Sequence, residues 1–292
     1  MQRKRLVYRA DDVGYTKTCN DGVFKALDQG SIITSVDVML ETPGSEDALY
    51  RLRDYPWLSI GWHCHLWGSP VADHKLVPHM IDEEGRFIWR HKHNHKDEVP
   101  YEEAYIEFEA QIERCIRILG KAPDTTQIYN NMPMDQARWD ICAKYGIAVN
   151  VLKENNGWAK NIIRPEEYKD LDYQTFSRRT PSGKRAGENG SDFDLAKFNE
   201  YQPEEDIMAV TWQDEEIIKI GGHPGFLDDY IFNESSCNIH RVRDVVAVTN
   251  PKVLKWISDN NIELVNQRDV LNGTNEFQEH LRAIGSPLAV RY

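Results

Sequence analysis

The chain lacks any apolar run approaching the roughly 20 residues of a membrane span. No apolar signal core follows the basic start Met1-Gln2-Arg3-Lys4-Arg5, so a cytoplasmic protein with no membrane partner is expected. Cysteine is sparse: five residues (Cys19, Cys64, Cys115, Cys142 and Cys237), odd in number and widely scattered, with no Cys-x-x-Cys. That argues against a disulfide framework or a zinc knuckle and predicts free thiols in a reducing compartment. Positive charge is in deficit, with 35 Lys and Arg against 47 Asp and Glu and a net charge of -12. Such a balance argues against nucleic acid as the main partner and fits a neutral or cationic small substrate. There is no internal repeat and no low-complexity linker. What is present is 40% hydrophobic content over 292 residues, enough for a sizeable core.

Strand-like runs fall near Leu6 to Ala10, Ile33 to Leu40, Leu58 to His65, Thr126 to Tyr129, Ile147 to Val151, Ile217 to Gly221 and Ile262 to Asn266. Helix-like runs separate most of them, at Cys19 to Gln29, Tyr101 to Leu119, Met134 to Tyr145 and after Asn250. In the longest, Ala104, Phe108, Ile112, Cys115, Ile116 and Leu119 form one apolar face, and Glu102, Glu103, Glu107 and Glu113 are expected on the wet side. Strand-helix alternation predicts a parallel sheet, and about seven strands over this length suit a TIM-barrel-like (β/α) barrel. The expectation is one domain over 1-292. Two long stretches, Gly68 to Pro100 and Lys153 to Glu205, are expected as loops over the barrel mouth, with 153-205 a loop-rich insert.

Four places carry chemistry. Asp11 and Asp12 sit where the first strand ends, the usual position of active sites in α/β folds. One can ligate a metal while the other takes a proton from water; a bare turn or helix cap is the plainer alternative. His63 and His65, two residues apart on a strand-like run, can share a metal. His223, after Gly221-Gly222 and before Pro224-Gly225, is a candidate general acid, with Asp228 or Asp229 as partners for its imidazole. Arg243 is a candidate substrate contact. Trp62 and Trp67 flank His63 and suit the apolar face of a sugar, whereas Trp89, Trp139, Trp212 and Trp256 read as core. His91, His93 and His95 lie among lysines in a long loop and read as solvated.

Several of these stretches together resemble the YdjC-like carbohydrate deacetylases, which include the chito-oligosaccharide deacetylases. The resemblance rests on Asp11-Asp12-Val13-Gly14 with Asn20, Gly30 and Ile33-Thr34-Ser35; on Gly61-Trp62-His63; on Trp67-Gly68-Ser69-Pro70, Val77-Pro78 and Asp82 to Phe87; and on His223-Pro224-Gly225. It spans most of the chain from Arg5 to about Asn266 and implies a (β/α) barrel that hydrolyses an N-acetyl group from an amino sugar or oligosaccharide. Asp12 and His63 would hold a divalent metal ion, zinc or magnesium. Asp11 would act as base and His223 as acid. A homodimer is implied as well.

One family feature is missing. Relatives carry histidines after the strand that follows the long helix, and one of them ligates the metal. Here Pro123 to Pro133 contains none, and Tyr129 and Asn130 stand in their place. The third ligand would then be His65, Asn130 or water. Two alternatives stay open: a carbohydrate-binding pseudoenzyme that has lost the metal, and a metal-free acid-base enzyme acting on a sugar.

Overall fold

The structure, a computed structural model, describes residues 4–88, 99–127, 133–150, 162–163, 195–212, 217–235 and 237–290. Strands β1 (Arg5–Val13), β2 (Ser35–Val38), β3 (Ser59–Trp62), β4 (Thr125–Gln127), β5 (Ala148–Asn150), β6 (Ile162–Ile163), β7 (Ile217–Gly222) and β8 (Glu263–Leu264) form one sheet. Its order is β6-β5-β4-β3-β2-β1-β7, with β8 added to the start of β1. Every pairing is parallel except β5 with β6. The fold is therefore α/β, as the alternation predicts. Among the described residues no pairing joins β6 to β7, and there are eight strands where seven were expected.

Helices α1 (Lys17–Asp28), α2 (Ser45–Leu52), α3 (Tyr101–Leu119), α4 (Pro133–Tyr145), α5 (Leu195–Glu200), α6 (Pro203–Met208), α7 (Asp229–Glu234), α8 (His240–Val248), α9 (Pro251–Asp259), α10 (Gln267–Asn272) and α11 (Glu276–Ala283) complete the elements, with a short 3-10 turn at His74–Leu76. Their ends follow local chemistry. Thr16 caps α1 through the Cys19 amide, and Asn250 caps α9 ahead of Pro251. Gly120 closes α3 in the left-handed conformation, φ 86°.

Helix α3 buries most of the apolar face expected of it: Ala104, Phe108, Ile112 and Cys115 are fully enclosed, and Ile116 and Leu119 are half-buried. Two of its four predicted wet carboxylates are not wet. Glu107 is fully buried and accepts from the amides of Val71 (2.9 Å) and Ala72 (3.0 Å) and from Gln111 Nε2 (2.7 Å). Glu103 accepts from the His79 amide at 2.8 Å. The long stretch after β3 has backbone donors that need partners, and these carboxylates supply them. Periodicity gives the apolar face but not such long-range acceptors. Burial pushes the Glu107 carboxyl up to about 7, against the pull of those hydrogen bonds.

Trp89, His91, His93 and His95, and Tyr129 and Asn130, lie outside the described residues. Within 153–205, the described residues form β6, α5 and the start of α6.

Candidate active site

The parallel register sets the carboxyl ends of β1, β2, β3 and β7 at one level. Ala10 pairs with Gly222, Val13 with Val38 and Val38 with Trp62. The register of β1 slips between Ala10 and Val13, and Asp12 takes a left-handed φ of 61°. Asparagine and aspartate tolerate that region better than other L-residues. The bend is locked from behind. Asn20 accepts from the Gly14 amide (2.8 Å) and donates to the Gly44 carbonyl (2.9 Å). Gly14 has φ 94°, and a Cβ there would stand 2.7 Å from the Met39 carbonyl oxygen. This accounts physically for the Asp-Asp-x-Gly…Asn spacing.

The bend turns the two carboxylates to different partners. Asp12 divides its oxygens: Oδ2 accepts from the fully buried guanidinium of Arg241 at 2.6 Å, and Oδ1 lies 2.9 Å from Nε2 of His63. Asp11 is gripped by the Arg9 guanidinium, whose Nη1 also reaches Asp37 at 2.8 Å. Burial opposes ionisation of both aspartates. Arg9 beside Asp11, and Arg241 beside Asp12, outweigh it, and each carboxyl is held below the usual range, Asp12 far below. Arg9, Asp11 and Asp37 also face Lys219, whose ammonium burial holds well below the ordinary lysine range.

Beyond β3, the His63 amide donates to the Val38 carbonyl at 2.9 Å, and its ring stacks edge-on to His65 with centroids 4.1 Å apart. The strand ends at Trp62, so a continuous strand does not pair the two imidazoles. They meet in the loop that follows, and Leu66, just beyond them, takes a left-handed φ of 59°. Asp12, His63 and His65 offer ligand atoms that all lie within 4.8 Å of one another. This donor set, one carboxylate and two imidazoles, fits a divalent transition metal.

His223 follows β7, and its amide donates to Asp244 Oδ2 at 2.7 Å. Burial opposes its charge, but the Cys237 sulfur, which hydrogen-bonds the imidazole, and the charges of Asp12 and Asp11 push it up to about 10. The same pairing draws the Cys237 thiol down against its burial. The expected partners Asp228 and Asp229 are elsewhere: Asp228 caps α7 through the Ile231 amide, and Asp229 bonds Asn233. Arg243 does not join the cluster either. It lies over the Phe198 ring at 4.2 Å and donates to Asn199 Oδ1 at 3.3 Å. Trp62 turns into the core, donating to Gln111 Oε1 (2.8 Å) against Phe108. Trp67 stays at the site and donates its indole N–H to Nδ1 of His65 at 3.2 Å.

Five site residues escape the sequence reading: Arg9, Asp37, Arg241, Asp244 and Cys237. Three carried a signal. Arg9 shares a strand face with Asp11 at a spacing of two. Asp37 is a lone charge inside the apolar run Ile33 to Leu40. Arg241, Asp244, Val245 and Val248 recur at helical spacing and are all buried, which distinguishes Arg241 from Arg243.

The comparisons agree with this architecture. Residues 5–259 match the family model described as YdjC-like protein, so the chain belongs to the YdjC-like family. A carbohydrate deacetylase of Enterococcus faecalis is 27% identical over 275 residues, covering 91% of this chain and 98% of that one. A chitooligosaccharide deacetylase of Serratia marcescens is 24% identical, covering 91% and 99%. The crystal structure of a proposed cellobiose-phosphate cleavage protein from Enterococcus faecalis superposes with a TM-score of 0.65 at 24% identity, over 92% of this chain and 99% of that one, and supports the fold.

Proposed function

We propose that the protein removes the N-acetyl group from an amino sugar or oligosaccharide, adding water across the amide to release acetate and a free amine. The observation that carries this reading is the meeting of Asp12, His63 and His65 with Asp11 and His223 around one set of strand ends. Membership of the YdjC-like family and relatives called carbohydrate and chitooligosaccharide deacetylases support it.

Asp12, His63 and His65 would hold a divalent cation. Two imidazoles in three ligands favour zinc over magnesium. Such a cation supplies Lewis-acid polarisation of the acetyl carbonyl and a lowered water pKa. Asp11, kept ionised by Arg9, accepts the proton that the attacking water loses. His223, kept protonated at neutral pH, delivers a proton to the departing nitrogen. Asp12 is held in place by Arg241 on the oxygen turned away from His63. The direct test is acetate release from N-acetylated oligosaccharides, which is expected to stop on exhaustive chelation. Release that survives chelation would contradict the reading and favour metal-free acid-base chemistry.

His65 sets a condition on metal binding. A ring nitrogen that accepts the Trp67 indole N–H has its lone pair engaged, and in neutral imidazole the other nitrogen carries the proton. Ligation by His65 therefore requires this contact to open. Zinc addition is expected to change the tryptophan emission of the wild type. In Trp67→Phe most of that change should be absent, and zinc affinity should rise about three- to tenfold, the equivalent of one modest hydrogen bond. Equal affinities and equal emission changes in the two proteins would rule the competition out.

A further inference from the structure

The corner between α5 and α6 docks on α8 close to His223, and its contacts are specific. Tyr201 donates its hydroxyl to Asp244 Oδ1 at 2.6 Å, while Oδ2 of the same carboxylate accepts the His223 amide at 2.7 Å. Asp244 is 1% exposed, so the carboxylate that accepts both bonds is shielded from water. Burial and the Asp244 charge push the Tyr201 hydroxyl well above the usual tyrosine range, so it remains a donor. The Tyr201 ring meets His240 edge-on at 5.0 Å. Arg243 extends the docking surface through Phe198 and Asn199.

The seat is tight. A Cβ on Gly222 would stand 2.3 Å from the Tyr8 hydroxyl and 3.2 Å from Asp244 Oδ2. Glycine immediately before His223 is what allows the carboxylate to approach the His223 amide. Asp244 thus bridges two chain segments that meet nowhere in sequence: the catalytic turn after β7 and the end of the 153–205 stretch.

We propose that Tyr201 and Asp244 are positioning residues that fix the backbone of His223 and make its placement depend on docking of the α5–α6 corner against α8. This rests on the reading of His223 as the acid. A carboxylate holding one backbone amide defines where the imidazole begins, and misplacement of a catalytic group by about 1 Å costs up to about a hundredfold in rate. The effect should fall on turnover and leave substrate and cation binding nearly untouched, because neither residue reaches the Asp12, His63 and His65 cluster.

The test pairs Tyr201→Phe and Asp244→Asn with two readouts. In kinetics on an N-acetylated oligosaccharide, Tyr201→Phe should lower kcat about tenfold with KM within about twofold and metal content unchanged. Asp244→Asn keeps an oxygen acceptor and should lose less than Asp244→Ala. In spectra of protein labelled with 15N-histidine, the His223 amide, assigned by its absence in His223→Gln, should move in Tyr201→Phe. An unmoved amide, or an unchanged kcat, overturns the proposal. If the wild type releases no acetate, the deacetylase reading fails, and the amide resonance still decides whether Tyr201 reaches His223.

Discussion

Replacing Asp12 by asparagine is expected to abolish cation binding and lower acetate release by at least about a thousandfold, the scale on which loss of an electrostatic centre acts. Asparagine tolerates the φ of 61°, so the bend itself should survive. The variant should nonetheless be less stable than the wild type. It leaves the Arg241 guanidinium, fully buried, without its anion, and breaking one side of a buried pair costs about 3–5 kcal/mol. Arg241→Met added to Asp12→Asn should restore much of the melting temperature and none of the activity. That pattern separates the two oxygens of Asp12: one serves the fold through Arg241 and one faces His63. Full activity in Asp12→Asn would contradict the assignment. An additive loss of stability in the double variant would show that the pair is not coupled.

His223→Gln is expected to lower kcat by about a hundred- to ten-thousandfold, the range of a lost general acid, with KM little changed. It should also change the pH dependence of stability in the metal-free protein. The His223 pKa is raised in the folded state to about 10, with Cys237, Asp12 and Asp11 outweighing the opposing burial. A raised pKa means the folded state holds the proton more tightly. The stabilisation is full below the unfolded value of about 6.5 and is lost as pH rises through about 10. Wild-type melting temperature should therefore fall between pH 7 and 10, and His223→Gln should remove that slope. Parallel slopes in the two proteins would place the titrating group elsewhere.

Much of this was legible in the sequence because it is local. The strands near Leu6, Ile33 and Ile217 and most of the apolar face of α3 follow from periodicity, although β1 runs on to Val13 and β2 is confined to Ser35–Val38. Asp11, Asp12, His63 and His223 stand out as chemistry at strand ends. The remainder depends on pairings distant in the chain. Arg241 reaches Asp12 across 229 positions, and Asp244 holds the His223 amide across 21. Glu107 reads as a wet helix position until the loop at Val71 and Ala72 needs acceptors. His63 and His65 do meet, but in the loop after β3 ends at Trp62 and not along one strand face. Arg241 and Arg243 are told apart only by which face of α8 is buried, and that depends on what the helix packs against.

The central claim is that Asp12, His63 and His65 form a metal centre although the stretch from Pro123 to Pro133 holds no histidine. Elemental analysis of protein purified without chelator, beside His63→Ala and His65→Ala, tests it most directly. The account predicts about one divalent cation per chain in the wild type and loss of that cation in both variants. No metal in the wild type after soaking with zinc, magnesium or nickel would contradict it and leave a sugar-binding protein or a metal-free acid-base enzyme.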